Sequence, residues 1–126
     1  MCIRDRYTSG EYKGNRVEEA SQVIERAGIV YSVKGLSATI QYNYTGDAFG
    51  DATNARVSSN PIAGYIPAYT VLDFSATYRI NNFTVNGGVN NLLDKAYFTR
   101  RTDEYPGPGI IPAVGRSLYL GFTVTL

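Results

Sequence analysis

Histidine and tryptophan are absent from the 126 residues, and cysteine and methionine occur once each. Without histidine, no Ser/His/Asp or Cys/His nucleophile set can be assembled from this chain, and the candidates for general-base work shrink to carboxylates, lysine and tyrosine. No phosphate-binding loop and no zinc-ligand spacing is present either, so the reading is not an enzyme and calls for no cofactor and no metal. The single Cys2 excludes an internal disulfide. A charge excess of either sign is also missing: 12 basic and 11 acidic residues leave a net charge of +1, which argues against nucleic acid as a partner. No apolar run reaches the ~18 residues of a membrane helix, although a membrane strand needs only ~9–11.

What is abundant is tyrosine (11), glycine (13) and phenylalanine (5), a composition of strands and turns. Leu36–Thr45 reads LSATIQYNYT, with Leu36, Ala38, Ile40, Tyr42 and Tyr44 on one side and Ser37, Thr39, Gln41, Asn43 and Thr45 on the other. The same period of two runs through Thr70–Ile80, Phe83–Asn90 and Ser117–Leu126, and less cleanly through Val23–Val33, where Glu25 interrupts the apolar row. Side chains leave a pleated strand alternately, so the pattern predicts five strands and no helix.

Lys34-Gly35 and Asn81-Asn82 give tight turns, whereas Gly46–Tyr69 and Asn91–Arg116 are long connections rich in Gly, Pro, Asn and Asp. Alternating short and long connections in an up-and-down sheet gather the long loops at one end, which is the layout of an outer-membrane barrel. The polar rows of the four clean strands carry only Asp73 and Arg79 as charged residues. A soluble sandwich exposes a polar face that is roughly a quarter to a third charged. A neutral polar row suits a lumen, and a wholly apolar row suits lipid. Tyr42, Tyr44, Tyr78, Phe83 and Phe122 fall towards strand ends, where aromatic girdles sit. Five strands cannot close, so the expectation is a segment of a larger antiparallel transmembrane β-barrel.

Residues 1–6, MCIRDR, match nothing downstream and resemble a translated adapter scar; residues 7–126 are expected to be the C-terminal part of a barrel domain. Gly88-Val89-Asn90-Asn91-Leu92, followed by Asp94, Tyr97 and Arg100-Arg101 and closed by SLYLGFTVTL, resembles the C-terminus of TonB-dependent outer-membrane receptors. YFTRR…YPGPGIIPAVGRSLYLGF and the upstream GDAFGDATNA…GYIPAYTVLDFSATY are most similar to ferric dicitrate and siderophore receptors, and the resemblance runs from about Gly14 to the end. It implies a barrel of about 22 strands, of which this chain supplies the last five. It also implies a plug domain upstream, uptake of a ferric chelate driven by TonB through that missing plug, and an outer membrane of Gram-negative type. Long loops would be extracellular, and short turns and the C-terminus periplasmic. The alternatives are a passive porin-like channel, which would lack a plug, and a soluble β module, which would not depend on detergent.

Arg100 and Arg101 are the candidate ligand residues, since guanidinium forks suit the carboxylates of an anionic chelate. The competing reading is loop solubility, pairing with Asp94, Asp103 or Glu104, or packing inside a loop stiffened by Pro106, Pro108 and Pro112. Asp47, Asp51 and Asn54 could hold calcium or cap the loop, and capping is favoured because their spacing fits no calcium loop. Tyr97, Phe98 and Tyr105 could line a ligand mouth or pack the loop. Gly121, Val124 and the terminal Leu126 resemble the signal read by the barrel assembly machinery, although such signals commonly end in an aromatic residue; Gly121 could equally relieve crowding in a lipid-facing strand.

Overall fold

A computed structural model describes residues 6–60, 62–102 and 108–125. Among them are nine strands and no helix: β1 (Ile24–Val33), β2 (Leu36–Thr45), β3 (Ala48–Phe49), β4 (Tyr65–Ile66), β5 (Tyr69–Ile80), β6 (Phe83–Asn90), β7 (Phe98–Thr102), β8 (Gly109–Pro112) and β9 (Ser117–Val124). The five long strands form one sheet in the order β1-β2-β5-β6-β9. These are the five strands that alternation predicts, with small shifts at the ends: β1 starts at Ile24 and β5 at Tyr69, while Leu126 lies outside the described residues. The two short ribbons, β3-β4 and β7-β8, were not expected and lie within the long connections.

The chain divides into two compact units. One holds most of the sheet and comprises Glu25–Asn43, Thr70–Lys95 and Val114–Leu126. Its register sorts side chains by polarity. Phe74, Val89 and Leu118 align across β5, β6 and β9, as do Ala76, Gly87 and Leu120, then Tyr78, Val85 and Phe122, then Ile80, Phe83 and Val124. The intervening rows are Ser75, Gly88 and Tyr119, then Thr77, Asn86 and Gly121, then Arg79, Thr84 and Thr123. A one-residue slip would mix the two sets, so the pattern itself fixes the pairing.

No apolar side chain of this unit is buried among the described residues. Leu118 is 78% exposed, Ile29 73% and Phe122 72%. Aligned apolar rows left this exposed need a covering apolar medium, and hydrocarbon suits them. Tyr78, Phe83 and Phe122 cluster at the short-turn end of that face, while Tyr42 and Tyr44 lie at the other end of β2.

The neutral face is held by hydrogen bonds. Ser32 and Ser37 hydroxyls lie 3.2 Å apart, Asn90 donates to Ser117 at 3.4 Å, and Asn43 donates to Asp73 at 3.4 Å. Two glycines make room for larger partners here. A side chain on Gly88 would collide with the Phe74 carbonyl and the Tyr119 ring, at 2.6 and 2.7 Å, and one on Gly121 with Asn86 Oδ1 at 2.6 Å. Gly121 therefore has a packing reason of its own, and it lies on the polar row, not on the apolar one. The turn at Lys34-Gly35 places both residues at positive φ, 42° and 85°, as a two-residue hairpin of right-twisted strands requires.

The second unit comprises Met1–Ile24, Tyr44–Tyr69 and Ala96–Ala113. It has a small ordinary core: Ile66 is 3% exposed, Ala48 4%, Ala63 7% and Phe49 8%.

Candidate functional site

The motif that carries the family resemblance is explained by local backbone needs. At the end of β6, Asn91 turns into the left-handed region (φ 51°) and is buried, 3% exposed. Its amide N–H donates to Asp73 Oδ1 at 2.9 Å, and its side chain closes a ring with Lys95, accepting from the Lys95 N–H and donating to the Lys95 carbonyl, both at 2.9 Å. Leu92 N–H donates to the Leu72 carbonyl at 2.7 Å. Asp94, also at positive φ, accepts from the Arg116 N–H at 2.9 Å just before β9 begins. Asn91, Leu92 and Asp94 thus form a latch that ends one strand and starts the next. Asp73, one of two charges on the polar rows of the four cleanly alternating strands, is the acceptor that anchors it.

Within the loop-built unit, arginines and aromatic rings alternate. Arg16 lies over the Phe49 ring at 5.1 Å, Phe49 meets Tyr65 edge-on at 5.9 Å, and Arg56 lies over Tyr65 at 5.1 Å. Such stacking retains a positive charge while burying its apolar stem. Arg16 also binds the Asp47 carboxylate at 3.0 Å and its carbonyl at 2.5 Å. Asn54, at φ 56°, clamps the Arg16 backbone, accepting from its N–H at 2.5 Å and donating to its carbonyl at 2.8 Å. Thr53 donates to Asp51 Oδ2 at 2.7 Å. Asp47, Asp51 and Asn54 therefore spend oxygens on loop donors, as the capping reading holds. On the N-terminal segment, the Tyr7 hydroxyl donates to Glu18 and holds that carboxyl below the usual range. A carboxyl lowered in this way supports the contact above its unfolded value and loses it as pH falls through the folded one.

The excursion after the latch folds back, as its prolines suggest: Arg100 pairs with Ile111, Arg101 with Ile110 and Phe98 with Pro112. Adjacent strand residues leave opposite faces, so the structure separates the two candidate arginines. Arg101 is half-buried, donates to the Tyr65 carbonyl at 3.2 Å and lies over Phe98 at 5.4 Å. Arg100 is exposed and meets Glu19 through Nε at 3.4 Å. Glu19 was not among the expected acidic partners: Asp94 pairs with Arg116 at 3.9 Å, and Asp103 and Glu104 lie outside the described residues, as does Tyr105. Tyr97 stacks on Tyr69 at 4.3 Å, so this ring packs the loop. Sequence patterning missed Arg16, Arg56 and Glu19, because no local spacing rule of a strand pairs Arg56 with the Tyr65 ring, Arg16 with the Phe49 ring or Glu19 with Arg100.

Comparison with known proteins places the geometry. The model of the TonB-dependent receptor-like β-barrel family matches residues 3–92. The metal-pseudopaline receptor CntO of Pseudomonas aeruginosa is 31% identical over 91 residues, covering 71% of this chain and 11% of that protein. The structure is similar to that of the unliganded ferric citrate transporter FecA, with TM-score 0.78 and 21% identity over 91% of this chain and 18% of that one. It is also similar to the siderophore receptor PiuA of Acinetobacter baumannii, with TM-score 0.72 and 26% identity over 90% of this chain and 15% of that one. The chain thus spans between 11% and 18% of the length of these proteins.

Proposed function

The chain belongs to the TonB-dependent receptor β-barrel family, and from that premise we propose that it forms part of an outer-membrane receptor that takes up a ferric chelate, a siderophore or a ferric citrate-like complex. The observation that carries this reading is the sheet whose aligned apolar rows stand exposed while its neutral polar rows bond to one another. That arrangement suits lipid on one side and a filled pore on the other, and the likeness to FecA supports the same fold. Transport, not chemical conversion, is the activity of the family.

In this reading the ligand arrives at the long loops on the outer side, and the short turns and the C-terminus face the periplasm. TonB acts through a plug domain encoded with the rest of the receptor. Arg100 and Arg101 serve the anionic chelate in different ways, Arg100 by direct contact and Arg101 by fixing the strand that carries both. Gly121, Val124 and Leu126 form the segment read by the barrel assembly machinery, and membrane lipid surrounds the apolar rows.

The test uses the full receptor gene expressed in a receptor-deficient Gram-negative host. Radioiron uptake from ferric citrate or a ferric siderophore is expected, with loss when TonB is deleted. Uptake that persists without TonB would assign a passive channel instead, and recovery of the protein in the soluble fraction without detergent would assign a soluble module.

A further inference from the structure

We infer that Glu19 is a built-in carboxylate that pairs with Arg100 and is displaced by the incoming chelate, so that it lowers the receptor's affinity for anionic ligands and leaves neutral ones untouched. The inference rests on the reading that Arg100 contacts an anionic ligand. Three observations carry it. Glu19 holds φ at 53°, a region that residues with a Cβ adopt at a cost and that strongly favours glycine. It is held there by its own N–H, which donates to the carbonyl of Phe49 at 2.7 Å, and Phe49 belongs to the small core. A backbone fixed in this way holds the Cα of Glu19 beside the strand that carries Arg100.

The pair it makes is built to be exchanged. Arg100 Nε meets Glu19 Oε1 at 3.4 Å, longer than the ~2.7–2.9 Å of a strong charge-assisted hydrogen bond. Both side chains are about half exposed, at 58% and 46%, and ion pairs of that exposure are weak. A chelate carboxylate that engages the guanidinium through two parallel N–H bonds outcompetes a contact as long as this. Arg101, bound to the Tyr65 carbonyl and stacked on Phe98, keeps the strand in place while Arg100 changes partner. A neutral ligand need not displace Glu19, whereas an anionic one must, and binds more weakly for it.

The experiment is calorimetric titration of the full-length receptor in detergent at low salt, with ferric citrate as the anionic probe and a neutral ferric trihydroxamate as the control. Glu19→Gln should tighten ferric citrate binding about two- to fivefold, the size of one exposed ion pair, and leave the neutral chelate unchanged. Glu19→Gly, which suits the left-handed backbone while removing the carboxylate, should repeat the gain. The gain should vanish in an Arg100→Ala background, the signature of a direct pair. If Arg100→Ala weakens ferric citrate binding but Glu19→Gln leaves it unchanged or weaker, the competing role is wrong and the ligand contact stands. An Arg100→Ala receptor with unchanged affinity removes the ligand contact itself, and absence of ferric citrate binding by every variant removes the anionic ligand class and the inference with it.

Discussion

The two units of this chain follow opposite solvent rules. In the sheet, Ile29, Leu118, Leu120 and Phe122 stand mostly exposed and the polar groups face one another; in the loop-built unit, Ala48, Phe49, Ala63 and Ile66 are covered and Arg16 and Arg56 stack on aromatic rings. The same hydrophobic effect explains both once each has its own surroundings. A strand that borders hydrocarbon gains nothing by hiding leucine, whereas a loop that borders water must gather its few apolar residues to stay folded. The two therefore differ in what damages them.

The sharpest way to break the contrast is a cation on the apolar row. Ile40→Arg, at the middle of β2, should destabilise the intact receptor in lipid by up to about 4 kcal/mol in an unfolding titration. A negligible cost would remove hydrocarbon from that face. Next in size, Phe49→Ala removes a buried ring that supports Arg16 and Tyr65, and should cost about 3 kcal/mol locally. Hydrogen exchange should then rise around Ala48–Phe49 and Tyr65–Ile66 without a matching change in the unfolding of the sheet. A uniform rise across both units would erase the distinction between them.

Asp73→Ala should cost about 1–3 kcal/mol, because it leaves the buried Asn91 N–H without its acceptor. The expected readout is fraying of the latch around Asn91 and Asp94, seen as faster exchange at Leu92 and Lys95. Smallest of all, Gln41→Arg places the same cation one residue from Ile40 but on the polar row, and should cost under about 1 kcal/mol. Equal losses for Ile40→Arg and Gln41→Arg would contradict the assigned facing of β2.

Legibility follows the same division. Phe83–Asn90 was bounded correctly from alternation alone, because period two is written in consecutive residues and needs no partner to be read. Ribbon β3-β4 was not, since each strand has two residues and its pairing of Ala48 with Ile66 depends on a chain reversal that leaves no local pattern. The latch was visible as a motif but not as a mechanism: Asn91, Leu92 and Asp94 stood out together, while the anchor Asp73 lies on another strand. Of the candidate site, Arg100 and Arg101 could be named but not told apart, and Glu19 was invisible.

The amino-acid sequence by itself determined the strands, their facing and the end of the sheet that carries long connections, because side-chain polarity at a spacing of two decides which solvent each row can meet. Only the tertiary structure decided which arginine is exposed, which carboxylate meets it and where the loops hide their small core. Those outcomes depend on contacts such as Arg100 with Glu19 and Arg16 with Asp47, whose partners are separated by tens of residues and are brought together by folding alone.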